Sequence, residues 1–447
     1  MPVWAVKNLT GWARTSSTKG LVARPERFSD LAALFADPST TSLLVRGAGR
    51  SYGDAALNSM GRTVLTTRLD RLLRIDAERA ELVAEAGVSF QDMMSACLLR
   101  GLLPPVTPGT GFATLGGGIA NDVHGKNHHR DGSLGQHLVW FDLRLPTGEV
   151  RRIEPVCDDA LFRATVGGLG LTGVVERACL RLKRVQSNAV NVRMRRIRNL
   201  DHYLEAFAEE QERSDYVVGW VDALASGAAL GRGILEAATP SEEPIAITAG
   251  SARRVPIEFP SFVLNPLSVR MFNAIYLRRV PAAGATSRMP YGRFLFPLDA
   301  LHDWNRIYGR RGFFQLQCVV PFEAGSAALK LLLERIARSR HGSFLAVLKA
   351  MGPCGLGYLS FPRPGYTLAL DFPNAPGARE LIAELECITA DHGGRIYFAK
   401  DATLSAALVP GMYPELDRMR EVLAEIDPCQ RMQSDLSRRL RLREVDV

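Results

Sequence analysis

Short apolar runs alternate with helical periods and glycine-rich loops along the first 185 residues. The run TSLLVRG at 41–47 is continuously apolar and enters a glycine loop, which predicts a buried strand. A second strand is predicted at 80–88, AELVAEAGV, and a helix at 89–101, SFQDMMSACLLRG. Ser89 and Asp92 there have the spacing of a capping box, and Gly101 supplies the stop. The segment 138–155, LVWFDLRLPTGEVRRIEP, reads as a hairpin turning at Thr147-Gly148. From about 186 to 395 the elements lengthen. A strand is predicted at 312–321, and helices at 326–339 and 377–394. The last fifty residues return to helical, arginine-bearing sequence. There is no internal repeat and no low-complexity tract. The pattern predicts an α+β chain of two domains.

Composition narrows the class. A chain of 447 residues that is 47% hydrophobic can bury large cores. Lys+Arg 55 against Asp+Glu 47 leaves a net charge of +8, suited to phosphate-bearing ligands or an anionic surface. No block of like charge resembles a nucleic-acid tail, so no nucleic-acid partner is expected. The seven cysteines (97, 157, 179, 318, 354, 387, 429) form no CxxC pair, which points to neither a zinc site nor a disulfide framework. The first twenty residues lack a basic region followed by a long apolar run, and no stretch reaches about 18 uncharged apolar residues. The expectation is a cytoplasmic protein without signal peptide or transmembrane helix.

Two segments look chemical. The first, RGAGRSYGDAALN at 46–58, follows the 41–47 strand. The second, TPGTGFATLGGGIANDVHGKNHHRDGSLG at 107–135, carries eight glycines, three histidines and one lysine. A Rossmann fingerprint requires G-x-G-x-x-G between a strand and a helix. The first loop spaces its glycines one residue too far, at Gly47, Gly49 and Gly53. Gly168-Leu-Gly170-Leu-Thr-Gly173 matches, but helix-like DDALFRATV precedes it and strand-like sequence follows, so it reads as a turn. Two glycine-rich stretches about sixty residues apart instead suit a long ligand with a central pyrophosphate, since glycine backbone N–H groups approach an anion unobstructed. His128 and His129 have no third ligand in any metal spacing, and no metal is expected.

GRSYGD, TLGGGIANDVHGKNHH, GSLG, ATVGGLGLTG and YFAKD together resemble the vanillyl-alcohol-oxidase-type FAD-binding flavoproteins. The likeness is greatest to the branch that oxidises polyprenylphosphoryl-ribose. It implies a two-domain PCMH-type FAD-binding fold with an antiparallel-sheet substrate domain: 1–185 for FAD, 186–395 for substrate, and 396–447 returning to the FAD domain. It also implies that Arg46, Gly47, Ala48, Gly49, Arg50, Ser51, Tyr52, Gly53, Asp54, Ala55 and Ala56 wrap the pyrophosphate together with Thr114, Leu115, Gly116 and Gly117. Gly109 marks the turn between these segments. Asn121, Asp122, Val123 and His124 would line the isoalloxazine, with Val175 and Tyr397 adding contacts. The first loop holds no His or Cys, so non-covalent FAD is expected. The resemblance makes Lys400, His124 and Gln317 the catalytic group. Lys126, Gln315, Gln317, Lys349, Trp220 and Lys400 become the substrate contacts, with Tyr52 as a wall. A desolvated lysine can drop toward neutral pKa and act on a hydroxyl.

Two positions depart from the family pattern. Ala369 stands where relatives carry an active-site cysteine, and Thr367 where they often carry Asn. The implied activity is oxidation of a polyprenylphosphoryl-β-D-ribose at its 2′-hydroxyl, the first step toward the arabinose donor for cell-wall arabinan. A short-chain NAD(P)H-dependent reductase would complete the epimerisation. A soluble sugar, alditol or aldonolactone is the alternative substrate class, and a non-catalytic flavin-binding protein is the alternative of another kind. The segment 260–293 mixes apolar residues with arginines, the pattern of a peripheral inner-membrane contact or a lid, with an ordinary helix and loop of the substrate domain as the alternative.

Overall fold

The computed structural model describes residues 3–246, 253–260, 262–342 and 344–443. Ser261, within the basic-apolar segment, and the last four residues of the C-terminal segment lie outside it. Three sheets organise the chain. The first orders its strands Ala5–Thr10, Ser17–Ala23, Arg62–Leu65, Leu43–Arg46, with parallel pairing around Arg62–Leu65. The second, antiparallel, orders Leu72–Asp76, Glu81–Glu85, Val174–Arg181, Leu138–Arg144, Val150–Ile153. The third has eight antiparallel strands drawn from Ala189–Ile197 through Arg395–Ile396.

Most expected elements form where the pattern places them. The 41–47 strand is Leu43–Arg46, and the 138–155 hairpin turns at Gly148 with φ +93°. Ser89 caps helix Phe90–Leu98 by accepting from the Asp92 N–H at 3.1 Å. The Asp92 carboxylate accepts from the Ser89 hydroxyl at 2.5 Å. The helix expected at 326–339 begins earlier, at Phe322. Gly325 lies within the added turn, where a Cβ would lie 2.5 Å from the Tyr366 ring. It is a close-packing glycine inside the helix.

The eight-stranded sheet has two unlike faces, as period-two alternation requires. Leu316, Cys318, Val320, Leu348, Leu368, Leu370 and Phe372 face helices Leu200–Arg213, Phe322–Ser339 and Ala378–Asp391 and form the largest core. The other face presents Gln315, Gln317, Lys349, Ala369 and Asp371 in cross-strand register. A strand with two glutamines that is buried along its whole length must satisfy them on this second face. The C-terminal segment runs back to the first sheet. There Met432 bridges Leu43, and the Arg431 guanidinium donates to the Phe35, Thr40 and Pro146 carbonyls.

Candidate active site

A cavity of about 1820 Å³ runs between the polar sheet face and the two glycine segments. It exceeds the roughly 300–1,000 Å³ of a pocket for one small ligand and has room for two ligands in contact.

At one end the glycine loops interlock. A Cβ on Gly47 would fall 2.3 Å from Thr114 Oγ1, so the two segments touch only because residue 47 has no side chain. Gly49 adopts φ +66°, and a Cβ there would strike the Arg46 guanidinium at 2.1 Å. Arg46 braces the loop from inside by donating to the Thr10 and Ala56 carbonyls, each at 2.8 Å. The Arg50 guanidinium lies 4.2 Å over Trp12 and 4.8 Å over Phe112, and its buried Nε has no partner. Asn121 donates to the Gly117 carbonyl, leaving its buried Oδ1 unpaired. Unpaired buried polar atoms beside side-chain-free backbone are what a polar, phosphate-bearing ligand would complete. The residues fit FAD.

At the other end the catalytic candidates converge. Lys400 sits in the turn after Arg395–Ile396, tied by its N–H to the Tyr397 carbonyl at 2.9 Å. The Tyr397 N–H reaches the Gln317 carbonyl, and the Tyr52 N–H reaches the Ala399 carbonyl, both at 2.9 Å. This backbone lacing sets Lys400 Nζ 3.6 Å from the Tyr52 ring centre. Burial drops the Lys400 ammonium to about 7, with Asp371 opposing the fall and Lys349 adding to it. Gln317 Nε2 donates to His124 Nε2 at 2.9 Å and to Thr367 Oγ1 at 3.3 Å. With the amide nitrogen turned to His124, the ring lone pair accepts and the proton resides on Nδ1, a buried atom with no partner. Burial, reinforced by Lys349, His128 and Lys400, holds His124 well below its usual value and so neutral. Lys349 is lowered to about 8 by burial and by Lys126. Lys126 donates to the Phe294 carbonyl at 2.6 Å, and burial lowers it too. The cavity wall thus concentrates three lysines beside a neutral histidine.

Trp220 lines the same space, its indole N–H on the Phe344 carbonyl at 2.9 Å. The wall also includes Gly109, Ala48, Ser51, Ala55, Ala56, Val123, Val175 and Tyr397, whose hydroxyl donates to the Asn121 carbonyl.

Four expected cofactor contacts stand outside the wall. The Asp122 carboxylate is consumed by Ser133 Oγ, Ser360 Oγ and the Gly135 N–H. Leu115 is fully buried in the core. Asp54 is paired with Arg439, which also grips Asp401 beside Lys400. Gly53 packs on the Asp401 carbonyl. These residues hold loops in place. His128 accepts from the Gly352 N–H at Nδ1, and His129 Nε2 meets the Ser214 carbonyl.

Two features escaped the sequence. The Gly168–Gly173 turn is not only a turn: Leu169, Gly170 and Gly173 form part of the cavity wall. Its glycine density was the available signal, masked by its likeness to the wrong motif. Asp371 is fully buried and accepts from Gln315 Nε2 at 2.5 Å and the Tyr308 hydroxyl at 2.9 Å. Burial pushes its carboxyl up to about 7, against the pull of these bonds and of Lys400.

Comparison with known proteins agrees with this geometry. Residues 20–154 match the FAD binding domain family. Decaprenylphosphoryl-beta-D-ribose oxidase of Mycolicibacterium smegmatis is 35% identical over 451 residues, covering 98% of each chain. An uncharacterized protein of Streptomyces coelicolor is 34% identical over 79% of this chain and 100% of its own. D-lactate dehydrogenase of Archaeoglobus fulgidus shares 25% identity over 36% of this chain and 38% of its own. The chain is an FAD-dependent oxidoreductase and belongs to the family of the decaprenylphosphoryl-beta-D-ribose oxidase.

Proposed function

We propose that this protein oxidises the 2′-hydroxyl of a polyprenylphosphoryl-β-D-ribose to the 2′-ketone. The single observation that carries the reading is the convergence of Lys400, Gln317 and His124 with Lys126 and Lys349 on the wall of the cavity whose other end is formed by the glycine loops. Bound FAD would supply the acceptor for the hydride that leaves the carbinol carbon, which carries both electrons of the oxidation. The protein's task is the hydroxyl proton, and Lys400 in its free-base form takes it. The Nδ1–H of His124 stands as a donor toward an oxygen or nitrogen atom that gains negative charge as the proton leaves, and Gln317, whose amide hydrogens go to His124 and Thr367, holds the ring in that tautomer. Lys126 and Lys349 attract the substrate phosphate, and Trp220 closes the wall beside them. Arg46–Ala56 and Thr114–Gly117 receive the pyrophosphate through the members that face the cavity.

In this reading residues 1–185 bind FAD, 186–395 bind substrate, and 396–447 return to the FAD domain. The keto product is electrophilic and lipid-bound, so a short-chain NAD(P)H-dependent reductase acting at the same membrane would complete the inversion. The test is anaerobic reduction: the yellow protein is mixed with polyprenylphosphoryl-ribose, or with soluble sugars, alditols and aldonolactones. Bleaching by the lipid-linked ribose and not by the soluble compounds supports the proposal. The opposite preference would move the enzyme to the soluble-sugar class.

A further inference from the structure

Helix Pro266–Arg278 presents its apolar side outward. At about 100° per residue, Leu267, Met271 and Ile275 share one face, and they are 78%, 63% and 62% exposed. The opposite face carries Val269, Asn273 and Tyr276. Asn273 is fully buried, and its amide donates to Asp222 Oδ1 at 2.6 Å. Asp222 in turn holds the Arg232 guanidinium at 2.7 Å. A polar anchor therefore fixes the helix from within, the reverse of a helix that buries its apolar stripe in a core. Phe262, Phe272 and Ile257 enlarge the exposed patch.

The segment's own charges have one sign, although Arg279 and Arg288 are paired with Glu236 and Glu243 from outside it. Residues 259–298 contain no Asp or Glu but hold arginines at 270, 278, 279, 288 and 293. Arg270 and Arg278 are exposed, with no carboxylate partner among the described residues. The patch also continues into the active cavity. Phe272 lies 5.3 Å from Phe344 and 5.5 Å from Tyr276, and Tyr276 lies 4.7 Å from Trp220, between ring centres. Tyr276, Trp220 and Leu345 belong to the cavity wall.

The geometry points to this helix face as a dock for an anionic lipid surface, with the Phe272–Tyr276–Trp220 track guiding a hydrocarbon tail from that surface to the cavity. The tail track rests on the lipid-linked substrate proposed above; the docking face does not. Exposed Leu, Met, Ile and Phe flanked by unpaired arginines match the acyl boundary and the anionic headgroups together.

Full-length, FAD-loaded protein is floated with vesicles of phosphatidylcholine alone or with roughly one-third phosphatidylglycerol. Wild type is expected to float with the anionic vesicles. The triple variant Leu267→Ser, Met271→Ser, Ile275→Ser should partition on the order of 100-fold more weakly. Arg270→Gln with Arg278→Gln should weaken partition by on the order of tenfold. Both variants should keep wild-type flavin content and wild-type bleaching by a water-soluble, short-chain phosphoryl-ribose, while losing rate on vesicle-borne long-chain substrate. Wild type that ignores both vesicles, or a triple variant that floats like wild type, overturns the dock. So does a dimer that the serine substitutions dissolve, because a second copy would then cover the face. If vesicle binding behaves as expected but neither ribose compound bleaches the flavin, the dock stands and the substrate assignment fails.

Discussion

Replacing Lys400 with methionine should abolish turnover while making the folded protein more stable. The side chain is largely buried, and its ammonium falls from the usual 10.5 to about 7, with burial as the main cause. At ~1.4 kcal/mol per pH unit, holding that charge in the folded state costs about 5 kcal/mol. The Tyr52 ring beneath Nζ returns roughly 1–2 kcal/mol, so Lys400→Met should gain about 3 kcal/mol at pH 6. Methionine is chosen because it fills nearly the same volume without a charge. The sign follows from proton binding. Between about 7 and 10.5 the unfolded chain holds the lysine proton and the folded chain does not, so wild-type stability climbs with pH across that window. The variant's advantage is therefore complete below the folded value and shrinks to about 1 kcal/mol near pH 9.5. Urea transition midpoints of both proteins in the same excess of FAD would measure it, since the cofactor's contribution is then shared. Anaerobic mixing with substrate should show bound flavin that no longer bleaches, a loss of about two to four decades in rate. A variant less stable than wild type at pH 6, or equally advantaged at both pH values, would refute the desolvated ammonium. Unchanged bleaching would remove Lys400 from the chemistry.

Asp371→Asn removes the carboxylate that raises Lys400, so the alkaline-rising limb of the reduction rate should move roughly one pH unit toward acid; a limb that stays put or moves upward contradicts the coupling. Gly47→Val should drive a side chain into Thr114, and Gly49→Val should combine the same kind of clash with a strained positive φ. Both proteins should purify with little flavin absorbance, and full FAD content in either would show that the loops tolerate separation. Acid precipitation should leave intact FAD in the supernatant, because Gly49–Tyr52 offers no His or Cys for a bond; flavin retained in the pellet would contradict this.

The fold was largely legible because its elements announce themselves locally. Apolar runs such as 41–47 and the Thr147-Gly148 turn depend on neighbours within a few residues. The pairing Ala5–Thr10 with Ser17–Ala23 did not announce itself, since the first strand is mostly exposed and carries no apolar alternation. Gly325 is illegible for the opposite reason. Its absence of side chain answers to the ring of Tyr366, more than forty positions away, and no local pattern records that contact.

The site divides along the same line. Glycine loops and YFAKD are contiguous motifs, so a family resemblance could single out Arg46–Gly49 and Lys400, which line the cavity, whereas what surrounds them comes from elsewhere in the chain. Asp371 sits in YTLALDFP as one polar residue in a strand, indistinguishable in sequence from an outward-facing one. Only the register that sets it opposite Gln315, on the face turned away from the helices, makes it a buried carboxylate near Lys400. Asp54 and Asp122 fail in the mirror sense: they lie within the motifs but point into the scaffold, toward Arg439 and the Ser133–Ser360 hydroxyls. A motif fixes where the backbone must approach the ligand. Which of its polar side chains face that ligand is settled by the nearest opposite charge or hydroxyl in the fold, and for Asp54 that partner is 385 residues downstream.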